Sequence, residues 1–590
     1  MEETDQQPEI APDPAQDRPS LSTTRRQFWI ILKAFFASER RRKARGFLIA
    51  LLVMALAVGA IQVLMSYAGR DFMTAITRKD PDAYWKSFAW YLGSFALAVP
   101  VGVYYRWVEE RLALLWREWM AQHLVKRYFN NRAYFRLRNS PSVDNPDQRI
   151  SEDVINFTTR SLSFLLIGLN SIVTLVAFIG VLWTISYSLV GILIGYAVGG
   201  TVVSIIIGRK LVGLYYHQYE KEADFRYGLV RVRDNAESIA FYRGAKREHL
   251  DLFNRLTEAV NNMRLIIIRN RHLGFFTNSY NYLALILPVL VVAPLYMRGE
   301  VEFGVVTQAA GAFGQVLAAV SLVITQFGGI SAYLAGVQRL GSLWDQLDEH
   351  DAEEMRISDE SNRPLDDHKR IVRLDQLTIC TPNKEKILVN ELSFELLPKQ
   401  SIIIMGASGT GKSSVLRTIA GLWYGASGVL ERPAANQLMF LPQRPYMVEG
   451  NLRDQLLYPY PDRGVTDEQI RAVLEEVNLS DVFPRVDDDL DRVVDWGNVL
   501  SLGEQQRVAF ARLFIRKPKF AFLDEATSAL DEQNQHDLYQ RLRDSGTGYI
   551  SVGHRGTLIR YHDRLLKLDR SGSWTLEDTP ESASLTPVDS

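Results

Sequence analysis

The chain has 590 residues, a formal net charge of −1 and one cysteine, Cys380. The length calls for at least two domains. The charge supplies no global basic field for nucleic acid, and one cysteine excludes an internal disulfide framework or a thiolate metal site.

Residues 1–24 are rich in Pro, Gln, Asp and Glu and are expected to be disordered. They contain no apolar core of a cleaved signal peptide. From Arg25 to Phe36 the pattern turns amphipathic, and Arg40, Arg41, Arg42, Lys43 and Arg45 follow, as in an interfacial helix with a basic anchor. A hydrocarbon core of about 30 Å needs about 20 apolar residues. Six stretches qualify, near 46–66, 87–107, 163–185, 188–208, 277–297 and 305–333. The basic run ahead of the first places the N-terminus in the cytoplasm. Long Arg-rich segments, Arg106 to Arg149 and Arg209 to Arg271, then lie on the cytoplasmic side as helical extensions of the spans. The outer loops read as short, the longest running over about 67–86. The predicted domains are a membrane domain over 25–344, an acidic linker over 345–370, an α/β nucleotide-binding domain over 371–571, and a flexible tail over 572–590.

The chemistry centres on GASGTGKS, residues 406–413, behind the apolar strand Ser401–Met405. The spacing fits GxxxxGK[ST], a phosphate-binding loop. Gly406, Gly409 and Gly411 let the backbone curl so that the N–H groups of Gly406, Ala407, Ser408, Gly409, Thr410 and Gly411, with those of Lys412, Ser413 and Ser414, face a polyphosphate. Lys412 reaches the outer phosphates and Ser413 is a Mg²⁺ ligand. Gln443 ends a short strand; Ser501 and Gly503 open a helix whose N-terminus is an anion site. Asp524 and Glu525 end the strand 520–523: Asp524 suits Mg²⁺, as does Gln443, and Glu525 suits polarising a water. Asp531 follows in Ser528–Asp531, and His554 lies just past the strand 549–552.

In this order the set resembles the nucleotide-binding domain of ABC transporters. Gly406–Ser413 matches Walker A, Gln443 the Q-loop, Leu500–Gln506 the signature, and Phe520–Asp524 Walker B with Glu525 as catalytic carboxylate. Ser528–Asp531 matches the D-loop and His554 the H-loop. The resemblance implies a head-to-tail dimer with ATP between one Walker A and the partner's Ser501 and Gly503. Leu502 stands where the common signature has glycine, and Glu504 where it has glutamine. Ile379–Pro382 occupies the region that would hold an adenine-stacking aromatic. Asn145–Ile150 and Glu237–Gly244 resemble the paired cytoplasmic motifs of subfamily D, which includes acyl-CoA carriers, a cobalamin transporter and bacterial SbmA/BacA-like relatives. Asp147, Arg149, Glu237 and Arg243 are expected to be exposed there as a coupling surface.

The expected protein is therefore a half-transporter with six transmembrane helices in an exporter-like fold. It is expected to work in a bacterial inner membrane as a homodimer, with ATP and Mg²⁺ as cofactors and no nucleic-acid partner. Gln308, Gln315 and Gln326 recur near one face of the sixth span and suit a hydrated pathway for a hydrophilic cargo such as cobalamin or a peptide. Interhelical hydrogen bonding is the competing role for these amides. Direction is open, and the exporter-like fold is compatible with import. Alternatives are an acyl-CoA carrier of the same subfamily, and a membrane-anchored ATPase regulator or ATP-gated channel.

Overall fold

The computed structural model describes residues 21–137, 145–325, 329, 333–334, 336–348, 371–381, 385–423, 425–460, 464–486 and 489–579. Two units divide the chain, Met1–Ile357 and Ser358–Ser590.

The first unit is helical. Helix α1 (Leu21–Ala37) precedes α2 (Arg41–Arg78), α3 (Pro81–Phe129), α4 (Val154–Ile185), α5 (Tyr187–Asp234), α6 (Ala245–Met297) and α7 (Phe303–Thr325). Six helices among the described residues are long and apolar enough to cross a membrane, in the six places expected. Helix α1 starts four residues ahead of the expected boundary at 25, because Thr24 is buried and its hydroxyl accepts from Gln338 Nε2 at 2.9 Å. At the other end helix continues through residue 348, into the stretch read as linker; 349–370 lie outside the described residues.

The expected outer loop 67–86 is nearly all helix. Lys79 adopts a left-handed conformation (φ 55°) that ends α2, and Asp80 caps α3, accepting from the Asp82 and Ala83 N–H groups ahead of Pro81 at the first turn. Charged residues there misled the hydropathy reading, since a helix does not stop where the hydrocarbon stops. The same excess recurs in the helices on either side of residues 235–244. Helix α5 has 48 residues, about 72 Å at 1.5 Å per residue and far more than a span requires. Helices α5 and α6 are held together by a reciprocal tyrosine pair. The Tyr196 and Tyr280 rings stack at 4.2 Å, and each hydroxyl donates to the other residue's carbonyl, at 2.5 and 2.8 Å. Gly200 leaves the space for the Tyr280 ring.

The second unit has two sheets. Strands β1 (Val372–Cys380), β2 (Ile387–Leu396) and β4 (Ala426–Glu431) form an antiparallel sheet in the order β2-β1-β4. Strands β3 (Ser401–Gly406), β5 (Leu438–Leu441), β6 (Phe520–Asp524), β7 (Gly548–Val552), β8 (Arg564–Leu568) and β9 (Trp574–Asp578) form the other, in the order β5-β6-β7-β3-β8-β9. It is parallel except for β9. The near-continuous apolar runs Ile402–Ile404 and Phe520–Leu523 are buried, as strands covered on both faces require. Strand β9 falls in the stretch read as tail. It pairs with β8, and Thr579 beyond it donates to the His562 carbonyl at 2.6 Å.

Candidate nucleotide-hydrolysis site

The carboxyl ends of four adjacent parallel strands, β5, β6, β7 and β3, carry Gln443, Asp524–Glu525, His554 and the 406–413 loop. Open α/β sheets place ligands at this edge. In the loop, Gly411 (φ 92°) is the N-cap of α8 (Lys412–Ile419), a left-handed backbone that favours glycine. At Gly406 a Cβ would lie 2.4 Å from the Leu568 carbonyl oxygen, so only glycine fits the neighbouring strand. Ala407, Ser408 and Gly409 form an exposed crest, while Thr410, Lys412 and Ser414 are buried. Thr410 Oγ1 donates to the Ala407 carbonyl at 3.0 Å and fixes the curl.

The Lys412 ammonium donates to the Gly406 and Ala407 carbonyls at 3.0 and 2.9 Å, folding back over the loop. Burial pushes its pKa down, against the opposing pull of Glu525 and Asp524. Ser413 Oγ donates to Asp524 Oδ1 at 2.8 Å, and burial pushes the Asp524 carboxyl up. A hydroxyl beside a half-buried carboxylate is a hard-oxygen pair of the kind that would suit Mg²⁺.

Glu525 is held from two sides. Gln443 Nε2 donates to Oε2 at 2.9 Å, and His554 Nε2 lies 2.9 Å from Oε1. The residue sits at φ 49°, a left-handed conformation costly for a side chain of this size. Its N–H donates to the Val552 carbonyl at 3.1 Å, so the end of β7 holds the strained turn.

Ser501 caps α9 (Leu502–Arg516) in a reciprocal box with Glu504. Glutamate in place of glutamine has a local reason. Burial pushes its pKa up, but the Arg485 guanidinium at 2.7 Å and the Ser501 N–H and hydroxyl outweigh it and hold it at about 2. Leu502 is exposed, and Gly503 packs so that a Cβ would come 3.0 Å from the Ala529 carbonyl oxygen. No described hydrogen bond joins Ser501 or Gly503 to the 406–413 loop of the same chain. Asp531 caps α10 (Glu532–Asp544), its carboxylate accepting from Asn534 N at 2.8 Å. In the region expected to meet adenine, Trp423 Nε1 donates to the Cys380 carbonyl at 2.8 Å; residues 382–384 lie outside the described residues.

The expected coupling residues separate. Asp147, Glu237 and Arg243 are exposed, the last at φ 54° just past the short helix Ala236–Phe241. Arg149 is buried, contrary to expectation. It starts a single π-turn, Arg149–Asp153, and donates to the Arg339 carbonyl at 2.7 Å and to Ser342 Oγ at 2.5 Å. Beside it Arg339 forks onto buried Asp153 at 2.9 and 2.6 Å. A charged string between two spans carries no sign of which arginine turns inward, because the partner lies 190 residues away. The three glutamines also part: Gln308 is buried with Nε2 unpartnered, Gln315 is exposed, and Gln326 lies outside the described residues. Helix α2 explains Gln308, for a Cβ on Gly304, one turn earlier, would come 2.0 Å from the Arg70 carbonyl oxygen.

Sequence reasoning missed Gln506 and Arg555, which brace the site's loops. Arg555 donates to the Ser528 and Leu530 carbonyls, both at 3.1 Å. Nothing local marks either contact, although each residue adjoins a motif.

The family models agree with this geometry. Residues 31–297 match the ABC transporter transmembrane region 2 family, and 389–528 match the ABC transporter family. An uncharacterized ABC transporter ATP-binding protein of Synechocystis is 44% identical, over 92% of this chain and 84% of its own length. ABC transporter D family member 2, chloroplastic, of Arabidopsis thaliana is 37% identical over 98% and 91%. The human lysosomal cobalamin transporter ABCD4 is 35% identical over 79% and 82%. The structure of a bacterial Atm1-family ABC exporter with ATP bound superposes with TM-score 0.72, covering 92% of this chain and 97% of that one at 18% identity, a likeness of fold. The site at the strand ends thus belongs to an ATPase coupled to transport, on a membrane unit of exporter-like fold. The chain belongs to the ABC transporter family, as a multi-pass half-transporter of the subfamily D type.

Proposed function

We propose that two copies of this chain form an ATP-driven carrier of a hydrophilic solute, cobalamin or a peptide, in a bacterial inner membrane. The convergence of Gln443 and His554 on Glu525, beside Lys412, carries the hydrolytic part. Lys412 and the loop N–H groups bind the phosphates, Glu525 polarises the attacking water, and His554 turns from Glu525 to the γ-phosphate. Ser413 and Asp524 would hold Mg²⁺, with Gln443 as a further ligand, and the ion would supply positive charge against the phosphates. Ser501, Gly503 and Asp531 of a second copy would close over the nucleotide, which accords with the lack of described hydrogen bonds from Ser501 to its own loop. Asp147, Glu237 and Arg243 remain the surface through which closure reaches the membrane helices. Arg149 acts from inside, by holding the π-turn.

The cargo assignment rests on Gln315, an uncharged amide exposed within the sixth span. The cobalamin-transporting relative supports it. Gln308, buried with its Nε2 unpartnered, fits neither an open pathway nor an interhelical hydrogen bond. The test is ATP-dependent accumulation in right-side-out and inside-out vesicles offered labelled cobalamin, peptide and acyl-CoA side by side. Accumulation of cobalamin or peptide is expected, and the vesicle orientation that accumulates it gives the direction. Accumulation of acyl-CoA alone would replace the hydrophilic cargo. ATP-gated leakage without accumulation would make the protein a channel.

A further inference from the structure

Gln506 is fully buried one turn into α9, and its amide reaches two other segments. Nε2 donates to the main-chain carbonyl of Gln443 at 2.9 Å and to Ser528 Oγ at 3.2 Å. Oε1 accepts the Ala529 N–H at 3.1 Å. Both amide hydrogens are thus used, on a side chain that is itself fully buried.

The bonded groups belong to different duties. The side chain of Gln443 bonds Glu525, while its main chain is held by Gln506. Ser528 and Ala529 lie in the loop that Arg555, next to His554, grips from the other side. Ala529 is also the residue against which Gly503 packs. Helix α9 carries Ser501 and Gly503 at its start. One amide therefore ties the segment that senses a chain's own reacting end to the helix end that would close on the second copy's nucleotide. The covalent route between them runs through residues 444–500.

We propose that Gln506 is a positioning residue that couples the two nucleotide sites of the dimer. When Gln443 leaves Glu525 for a bound nucleotide, its main chain shifts, and the Gln506 amide passes that shift to α9. The inference rests on the homodimer proposed above. Coupling free energies between sites are commonly about 1–3 kcal/mol, or about 5- to 150-fold. A single buried hydrogen bond to a main-chain carbonyl is of that order.

The test uses the full-length protein in lipid nanodiscs and three substitutions. Gln506→Leu removes every bond, Gln506→Glu keeps the acceptor for Ala529 and loses both donors, and Ser528→Ala removes one arm only. The first two are expected to bring the Hill coefficient of ATP hydrolysis to about 1 and to lower kcat about tenfold, with ATP affinity in the Glu525→Gln background within about threefold. Ser528→Ala is expected to remain cooperative. Nucleotide-dependent cross-linking of the two copies should weaken in Gln506→Glu. A residue that merely supports the fold would lower melting temperature and affinity together and leave the Hill coefficient alone, which would overturn the inference. So would wild-type cooperativity in Gln506→Glu. If the wild-type protein itself shows neither cooperativity nor cross-linking, the homodimer falls, and the coupling role with it.

Discussion

The ATPase unit and the membrane unit handle polar groups in opposite ways. In the first, motif residues bond to one another across the sheet edge: Gln443 and His554 to Glu525, Ser413 to Asp524, Gln506 to three partners. In the second, the expected functional residues lie apart, and apart from Arg149 the firm polar contacts belong to others, such as Asp153 with Arg339. Chemistry on a phosphate needs groups fixed within fractions of an ångström, whereas a passage for cargo needs surfaces left free to meet it. The contrast predicts that substitutions in the ATPase site act on rate and those in the membrane unit act on stability or coupling.

The largest effect is expected at Glu525. Glu525→Gln should slow hydrolysis by about 10³-fold or more while ATP binding stays within a few-fold, as measured by single-turnover kinetics and equilibrium binding. Wild-type turnover would remove Glu525 from the role of water-polarising carboxylate and break the contrast at its strongest point. Next in size is Arg339→Ala, which leaves Asp153 buried without its fork. A loss of about 3 kcal/mol in the membrane unit is expected, visible as a lower melting temperature with ATP affinity unchanged. Asp153→Asn together with Arg339→Gln should recover part of it.

A smaller effect sharpens the ATPase side. His562 is fully buried between the Tyr539 and Tyr549 rings, with Nδ1 2.8 Å from the Leu558 carbonyl and Nε2 unpartnered. Burial lowers its pKa from 6.5 to about 4. The folded form therefore binds fewer protons than the unfolded one, so the stabilising contribution is complete above pH 6.5 and is lost as pH falls towards 4. His562→Phe should flatten the melting-temperature profile across that window; an unchanged slope would place the acid sensitivity elsewhere. The smallest effect belongs to the exposed surface. Glu237→Ala and Arg243→Ala should leave basal ATPase within about twofold and reduce its stimulation by cargo several-fold. Normal transport and stimulation would make both residues ordinary solvated charges.

The site was legible in the sequence to the extent that each motif is a short string at a strand end or, for Ser501 and Gly503, at a helix start. The apolar runs 401–405, 520–523 and 549–552 announced the strands, and the polar residues after them had nowhere else to be. The six spans were legible for a similar reason, since hydropathy is a local quantity. What escaped depends on distance along the chain. Gln506 meets a carbonyl 63 residues away, and Arg149 meets Arg339 at 190. The turn at Lys79–Asp80 escaped because charge suggested a loop where helix simply left the hydrocarbon. Strand β9 escaped because Ser and Thr around it resembled a tail, while Trp574 and Leu576 alone pack against the core.

The left-handed backbone at Glu525 sets stability against the proposed catalytic role at one position. Holding a glutamate there costs about 1–2 kcal/mol that glycine would not. Glycine at 525 would relax the turn and remove the carboxylate in one step. A laboratory screen for heat resistance, run without a transport requirement, would therefore drift towards a more robust protein that binds nucleotide and does not turn over.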